Sequence, residues 1–230
     1  MPTSPSLPRV DPSEYWYCQL VCEPKQFPID DDEPDRFMHC TDGAVHLTSK
    51  DGELGEKVGS FSIIVMDVES AVNERASLYD LFDSSGIAWS YYEALYSGDG
   101  DLKDKVMKAI WGEDRYAPNM LILDRVVIRA EHRGHGLGLA TLRALCENFR
   151  IGAGFIAMKP FPLQFESARF DASKFKKNVA ELELERWENV TEKKALASLR
   201  KYYGTLGFRR VPGTEFMVRA ADRPFVDPAD

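Results

Sequence analysis

The stretch VVIRAEHRGHGLGLATLRALCENF, residues 126–149, decides the fold of this chain. It begins inside an apolar, β-branched segment, MLILDRVVI at 120–128, which predicts a β-strand. The turn RGHGLG follows at 133–138 and leads into a predicted helix. That helix has its apolar side chains on one face, at Leu139, Leu142, Leu145 and Phe149. A strand, a glycine-rich turn and a helix in this order are typical of an α/β protein.

The turn has the properties of an anion-binding site. Gly134, Gly136 and Gly138 lack Cβ atoms, so the backbone can turn sharply and approach a ligand closely. Free amides of the turn and of the first helical turn, together with the helix dipole, attract a phosphate or pyrophosphate. Arg133 adds a permanent positive charge beside these amides.

Three known types of phosphate-binding loop can be compared with this pattern. A Walker A loop requires G-x-x-x-x-G-K-S/T, a string that the chain does not contain. A Rossmann loop requires G-x-G-x-x-G and an acidic residue after the next strand. Here the glycines follow G-x-G-x-G, and the next predicted strand, 155–158, is followed by Lys159. The third possibility is a loop for the pyrophosphate of coenzyme A.

Residues 126–149 resemble motif A of the GNAT superfamily, the acetyl-CoA-dependent N-acetyltransferases. The core of that motif is Arg or Gln, two residues, Gly, one residue, then Gly or Ala, and residues 133–138 match it. A second segment, KYYGTLGFRRV at 201–211, is similar to the helix–strand junction of the family. The resemblance covers about residues 119–220 and, less clearly, a predicted hairpin at 44–68. It leaves three segments unexplained: 1–40, 71–112 and 165–190.

The resemblance implies acetyl-CoA as co-substrate. In the family, the strand before the loop splays from its neighbour and the pantetheine arm enters the gap. Backbone groups near Val126, Val127 and Ile128 would then bind the pantetheine amides. Many members also carry an asparagine in the helix before the conserved tyrosine, and Ser198 is the residue that would replace it here. The pyrophosphate would lie on the loop residues Arg133, Gly134, His135, Gly136, Leu137 and Gly138.

The implied reaction is direct transfer, in which a neutral amine attacks the thioester and coenzyme A leaves as a thiolate. A tyrosine hydroxyl suits the protonation of the thiolate, because its pKa of about 10 keeps it protonated at neutral pH. Tyr203, four residues before Gly207, occupies the position where the family carries this acid. Tyr202 is the alternative, and both tyrosines can instead fill the core of the protein.

The base that takes the amine proton is a separate question. Asp124 lies in the predicted central strand, in the same alternation as Val126 and Ile128, and can accept the proton if that face lines the cleft. Two alternatives stay open: an ion pair of Asp124 with Arg125, and an ordered water chain as base.

The composition of the chain argues against several other classes of protein. The chain has 230 residues with 29 basic and 37 acidic side chains, a net charge of −8. This acidic balance argues against a nucleic-acid partner. No apolar stretch approaches the ~18 residues that cross a bilayer, and the N-terminus does not resemble a signal peptide. Four cysteines are too few for a disulfide framework, so we expect a cytoplasmic protein with free thiols and no membrane partner.

We expect no metal ion and only a small-molecule or peptide amine as acceptor. The cluster of His39, Cys40 and His46 with Cys18 and Cys22 has poor spacing for zinc. Aromatic residues between the hairpin and the central strand predict either the core of a helical subdomain or the wall of the acceptor pocket. They are Trp89, Tyr91, Tyr92, Tyr96, Trp111 and Tyr116.

The predicted architecture is a mixed, mostly antiparallel sheet that splays at its centre and carries helices on both faces. A flexible arm is expected at 1–13, one GNAT-like domain at 14–220 and a tail at 221–230. Helical insertions are expected at 71–118 and 165–190. The predicted function is N-acetyl transfer from acetyl-CoA to a primary amine, with a homodimer as a possible state. The alternative is a non-catalytic acyl-CoA-binding or regulatory module.

Overall fold

The computed structural model describes residues 15–24, 33–97, 100–113, 115, 117–163, 165 and 190–225. The arm expected at 1–13 lies outside the described residues, as do residues 226–230 and nearly all of the insertion expected at 165–190. In the part of the chain that is described, no helix is both long and apolar enough to cross a membrane.

The described chain forms one mixed sheet of seven strands, in the order β1-β2-β3-β4-β5-β7-β6. β4 and β5 pair in parallel, and every other neighbouring pair is antiparallel. This confirms the predicted mixed, mostly antiparallel sheet. The strands are β1 (Tyr15–Cys22), β2 (Met38–Ser49), β3 (Leu54–Met66), β4 (Met120–Ile128), β5 (Phe155–Met158), β6 (Arg209–Arg210) and β7 (Met217–Ala220).

The two parallel strands share only a short ladder at the centre of the sheet. Met120, Leu121 and Ile122 pair with the three residues at 155–157, and β5 ends at Met158. β4 continues to Ile128, where it is held on its other side by β3. The second half of β4 therefore borders a gap on the β5 side.

A β-bulge interrupts β4 next to this gap. Ser62 of β3 pairs with Arg125, but Ile63 pairs with Leu123, so Asp124 is the extra residue. A bulge bends its strand and shifts the alternation of side chains. Leu123 before the bulge and Val126 after it consequently face the same apolar cluster, although their sequence separation is odd.

Four helices cover one face of the sheet. They are α1 (Val68–Asn73), α2 (Leu78–Asp83), α3 (Gly86–Leu95) and α4 (Asp104–Ile110). The side chains of Asp67, Ser77 and Ser85 cap the first three helices by accepting a backbone N–H. Their apolar residues form one buried cluster with the sheet, here named the first cluster. Helices were thus correctly predicted within 71–118.

The opposite face carries α5 (Leu137–Phe149) and the end of α6 (Glu192–Gly204). Leu142, Leu145 and Cys146 of α5 pack against β-strand residues in a second buried cluster, here named the second cluster. Helices therefore lie on both faces of the sheet, as predicted.

Two boundaries differ from the sequence-based expectation. β2 begins at Met38 rather than in the middle forties, because it pairs with β3 along almost its whole length. The expected tail also begins too early, since Ala221 is buried in the second cluster and Phe225 packs against it. The packed domain therefore extends to Phe225.

Candidate functional site

The glycine turn leaves a row of backbone amides without partners. Gly134 and Gly136 have φ angles of 83° and 79°, in the left-handed region that favours glycine. Gly136 is also the N-cap of α5 and offers no side chain to the helix end. Within the described part of the chain, no acceptor binds the amides of residues 134–138. Such amides at a helix N-terminus attract an anion.

Arg133 fastens the turn to the end of β4. Its Nε donates a hydrogen bond to the carbonyl oxygen of Ile128 at 2.8 Å. The half-buried guanidinium therefore lies between the last residue of β4 and the first glycine of the turn. His135 is exposed at the tip of the same turn.

Gly138 lies in the first turn of α5, directly against Tyr202 of α6. A Cβ built on Gly138 would lie 3.2 Å from the hydroxyl oxygen of Tyr202 and 3.8 Å from Cγ1 of Ile128. The Tyr202 side chain remains 37% exposed. The structure thus brings the Tyr202 hydroxyl to the glycine turn, which the sequence alone did not predict.

Tyr203 points away from the exposed side of α6 and packs against the second cluster. Its ring is 5.7 Å from that of Tyr202, in an edge-to-face arrangement. Burial raises the pKa of Tyr203 to about 12, and the neighbouring Tyr202 adds to the rise. The hydroxyl therefore keeps its proton throughout the neutral range.

Ser198 lies one helical turn before Tyr202, on the same face of α6. Its hydroxyl donates to the carbonyl oxygen of Lys194 at 3.1 Å, and the residue is exposed. The hydroxyl oxygen can still accept a second hydrogen bond.

The end of β4 supplies the backbone of the expected pantetheine site. Val126, Val127 and Ile128 pair with β3 on one side only. Backbone groups on the other side face the gap left where β5 ends. The expected cofactor residues of the strand and of the turn are therefore brought together at one corner of the sheet.

Simple alternation of side chains predicted that Asp124 shares a face with Val126 and Ile128. The bulge breaks that alternation. The bulge moves the later residues onto the second cluster, whereas Asp124 acts on Tyr91 of the first cluster. Burial raises the pKa of Tyr91, and the negative charge of Asp124 raises it further. The Asp124 side chain is half-buried, and its negative charge is close enough to act on the Tyr91 hydroxyl.

Tyr91 lies close to Asp124, although the sequence indicated only membership of an aromatic group. It is 2% exposed, and its hydroxyl lies within hydrogen-bonding reach of the backbone at Lys159, just past the end of β5. Its ring centroid is 4.6 Å from that of Phe216. Tyr91 therefore lies near the end of β5 and within electrostatic reach of Asp124 in the middle of β4. The signal that could have located it is the helical spacing of Ala88, Tyr91 and Leu95, which form the buried face of α3.

An open groove of about 390 Å³ leads away from this point. Its lining combines three lysines with two glutamates, and Lys159 Nζ lies 2.8 Å from Glu215 Oε2. Trp89, Tyr92, Tyr96 and Trp111 do not line it and belong instead to the first cluster. The groove is lined by Ser90, Glu93, Ala94, Lys103, Lys105, Lys159 and residues 213–216.

One group of three potential metal ligands occurs in the described part of the chain: Glu56, Glu131 and His132, with ligand atoms within 4.8 Å of one another. Arg129 lies 3.3 Å from Glu56, and His132 lies 3.8 Å from the same carboxylate. Arg129 and Glu56 form an ion pair, and the buried Nε2 of His132 has carboxylate oxygens of Glu56 and Glu131 as neighbours. Cys18 and Cys22 are free thiols on β1, the edge strand.

No family model, no curated protein and no solved structure matches this chain.

Proposed function

We propose that this chain transfers an acyl group, acetyl in the first instance, from coenzyme A to a primary amine. The observation that carries the proposal is the row of unpartnered amides at 134–138, at the N-terminus of α5 and beside the gap in the sheet. An anionic diphosphate fits the amides and an extended amide-bearing arm fits the free edge of β4.

The arrangement of the strands supports a GNAT-like fold. One parallel pair lies inside an otherwise antiparallel sheet. β4 extends beyond its ladder with β5, and this extension includes Val126, Val127 and Ile128, which the resemblance assigns to the pantetheine arm. β7 lies between β5 and β6, after the helix that carries the second motif. Fold alone does not establish an activity, so the proposal depends on the site.

The proposed transfer needs a base and an acid, and we assign these two roles to different side chains. The amine nitrogen attacks the thioester carbonyl carbon, the C–S bond breaks, and the amine proton passes to Asp124 directly or through water. The departing thiolate then takes a proton from a tyrosine hydroxyl. Tyr203 is our candidate for this acid, and Tyr202, beside Gly138, is our candidate for a cofactor contact.

The alternative, a non-catalytic acyl-CoA-binding module, has one observation in its favour. The pKa of Tyr203 at about 12 makes its hydroxyl a weaker acid than an ordinary thiol, so protonation of the thiolate by Tyr203 is uphill. A protein that binds acetyl-CoA but releases no thiol with any amine would support this alternative.

Binding and turnover are tested together. Titration calorimetry with acetyl-CoA measures the affinity, and a thiol-release assay against a panel of primary amines measures transfer. We expect binding in the micromolar range and thiol release with at least one amine. Absence of binding would contradict both the enzyme and the binding module.

His135 offers a matched pair of variants for the amide row. His135→Glu places a carboxylate at the exposed tip of the turn, where it repels a diphosphate, and we expect acetyl-CoA affinity to fall at least tenfold. His135→Gln introduces a neutral side chain of the same length and is expected to stay within about threefold of the parent. Equal affinities for the two variants would place the diphosphate elsewhere.

A further inference from the structure

Arg219 is a buried cation to which no described residue offers an anionic group. It lies in β7 and is only 3% exposed. Its guanidinium donates to the carbonyl oxygens of Arg223 and Pro224, at 2.5 and 3.3 Å, and lies 3.8 Å from the centre of the Phe225 ring. No carboxylate binds it within the described part of the chain. A buried charge in such surroundings is costly unless an anion compensates it.

One donor of this guanidinium is left unused. The Nε atom of Arg219 is buried and has no hydrogen-bond partner among the described residues, although the guanidinium also interacts with the Cys146 thiol. It faces Gly207, where a Cβ would lie 3.9 Å from Nε and would touch no other atom within 4 Å. Because residue 207 has no side chain, the space in front of Nε remains open. An oxygen atom entering this space can accept the missing hydrogen bond.

The same arginine lines a cavity of about 360 Å³ whose lining contains no acidic residue. The positive charges of Arg150 and Arg223 act on Arg219 in addition to its own burial. The lining thus combines the buried guanidinium of Arg219 with the exposed Arg209 and Arg223, and no negative charge offsets these three positive charges within it. It is lined by residues 204–208 and by Arg209, Arg219, Arg223 and Pro224.

We propose that Arg219 and Arg223 form a second anion-binding site, which takes a small oxyanion such as phosphate or the carboxylate groups of a small polycarboxylic acid. Planar guanidinium groups bind such oxygens through paired, charge-assisted hydrogen bonds.

This site is separate from the glycine turn. Cys146, which contacts Arg219, lies in the last turn of α5, whereas the turn at 133–138 precedes its first residue. A helix of 13 residues spans about 20 Å, so the two anion sites lie at opposite ends of α5. Anion binding at the second site can therefore be tested independently of coenzyme A binding.

The test measures anion binding with the glycine turn blocked. Inorganic phosphate, and in a separate arm citrate, are titrated into the full chain at saturating coenzyme A, and affinity is measured by calorimetry. If the chain does not bind coenzyme A, the same titrations are run without it on the His135→Glu variant. We expect saturable 1:1 binding of at least one of the two anions.

Arg223→Gln is the test variant, because its side chain is exposed and its backbone carbonyl, which holds Arg219, is retained. We expect it to weaken the affinity at least tenfold. Arg36→Gln is the control, since it removes one partly exposed positive charge that is paired with Glu74 on the other face of the sheet. It is expected to leave the affinity within twofold.

A direct signal comes from the Arg219 Nε–H resonance in a nitrogen–proton NMR spectrum. Anion binding is expected to shift this resonance, with a midpoint that matches the calorimetric affinity. The proposal is overturned if neither anion binds, if Arg223→Gln binds as well as Arg36→Gln, or if the Arg219 resonance does not move at saturation.

Discussion

Tyr202 and Tyr203 are neighbours in sequence, yet their hydroxyls have different surroundings. Tyr202 is partly exposed and reaches the backbone of Gly138. Tyr203 packs into the second cluster together with strand residues that border the gap. An exposed hydroxyl beside the glycine turn suits the proposed cofactor contact, whereas a buried one suits the proposed proton donor.

The two tyrosines therefore predict opposite kinetic effects. Tyr203→Phe is expected to lower kcat about 10- to 100-fold with little change in acetyl-CoA affinity, because it removes a proton donor used only during transfer. Tyr202→Phe is expected to weaken acetyl-CoA affinity a few-fold and to leave kcat nearly unchanged. Steady-state kinetics and calorimetry on both variants measure the difference, and the reverse result would assign the acid to Tyr202.

Cys146 and Cys22 also differ strongly in their surroundings. Cys146 is fully buried, and burial raises the pKa of its thiol to about 12. Cys22 is exposed on β1. Because the thiolate is the reactive form, we expect a thiol reagent at pH 8 to label Cys22 within minutes and Cys146 only after denaturation. Mass spectrometry of the labelled peptides measures both rates, and rapid labelling of Cys146 would contradict its burial between α5 and the sheet.

At the scale of single elements, the bulge in β4 decides which side chains meet. The sequence predicted β4 correctly from its apolar run, since β-branched residues fill it from end to end. It did not predict the bulge, because an extra residue is defined only by the pairing with β3. Simple alternation therefore misplaced Asp124 relative to Val126 and Ile128, and its electrostatic effect on Tyr91 was not predicted.

Asp124→Asn tests the role of the bulged residue. If its carboxylate accepts the amine proton, the variant is expected to lose about 100-fold in kcat/KM at pH 7. Part of the loss is expected to return as pH rises towards 10, where more of the amine is already neutral. Glu131→Gln is the control, as an exposed carboxylate near the turn that is expected to leave the pH profile unchanged. A pH-independent loss would indicate a structural role.

Across the whole molecule, the mixed, mostly antiparallel sheet with helices on both faces was predicted, whereas the order of its strands was not. Helical spacing of apolar residues located α3, α4, α5 and α6, and the glycine turn located the amide row. The contacts of Arg219 were not foreseeable, since an arginine inside an apolar strand gives no local sign of its partners. Its carbonyl acceptors and Phe225 come from a segment that composition had marked as a tail.

Buried titratable groups predict the response of the entire fold to alkali. Burial raises the pKa values of Tyr91, Tyr203 and Cys146 in the folded protein, the latter two to about 12, while the unfolded chain keeps values near 10 for tyrosine and 9 for cysteine. Above pH 9 the unfolded state therefore binds fewer protons, and the free energy of unfolding falls as pH rises towards 12.

Urea denaturation between pH 8 and 11 measures this loss. Tyr203→Phe removes one of the three groups and is expected to make the decline above pH 10 less steep. Tyr79→Phe serves as control, because Tyr79 is exposed and its removal is expected to leave the slope unchanged. A parent protein whose unfolding free energy stays constant up to pH 11 would contradict the burial of these groups.

The short final strand has a consequence for how copies of the protein meet. β6 contributes only two residues to the sheet margin, and both are exposed arginines. Two such margins approaching each other bring four like charges together and offer almost no free backbone for a shared ladder, so this border resists fibril-like growth. Any extension of the sheet across molecules is directed to the opposite border, along β1.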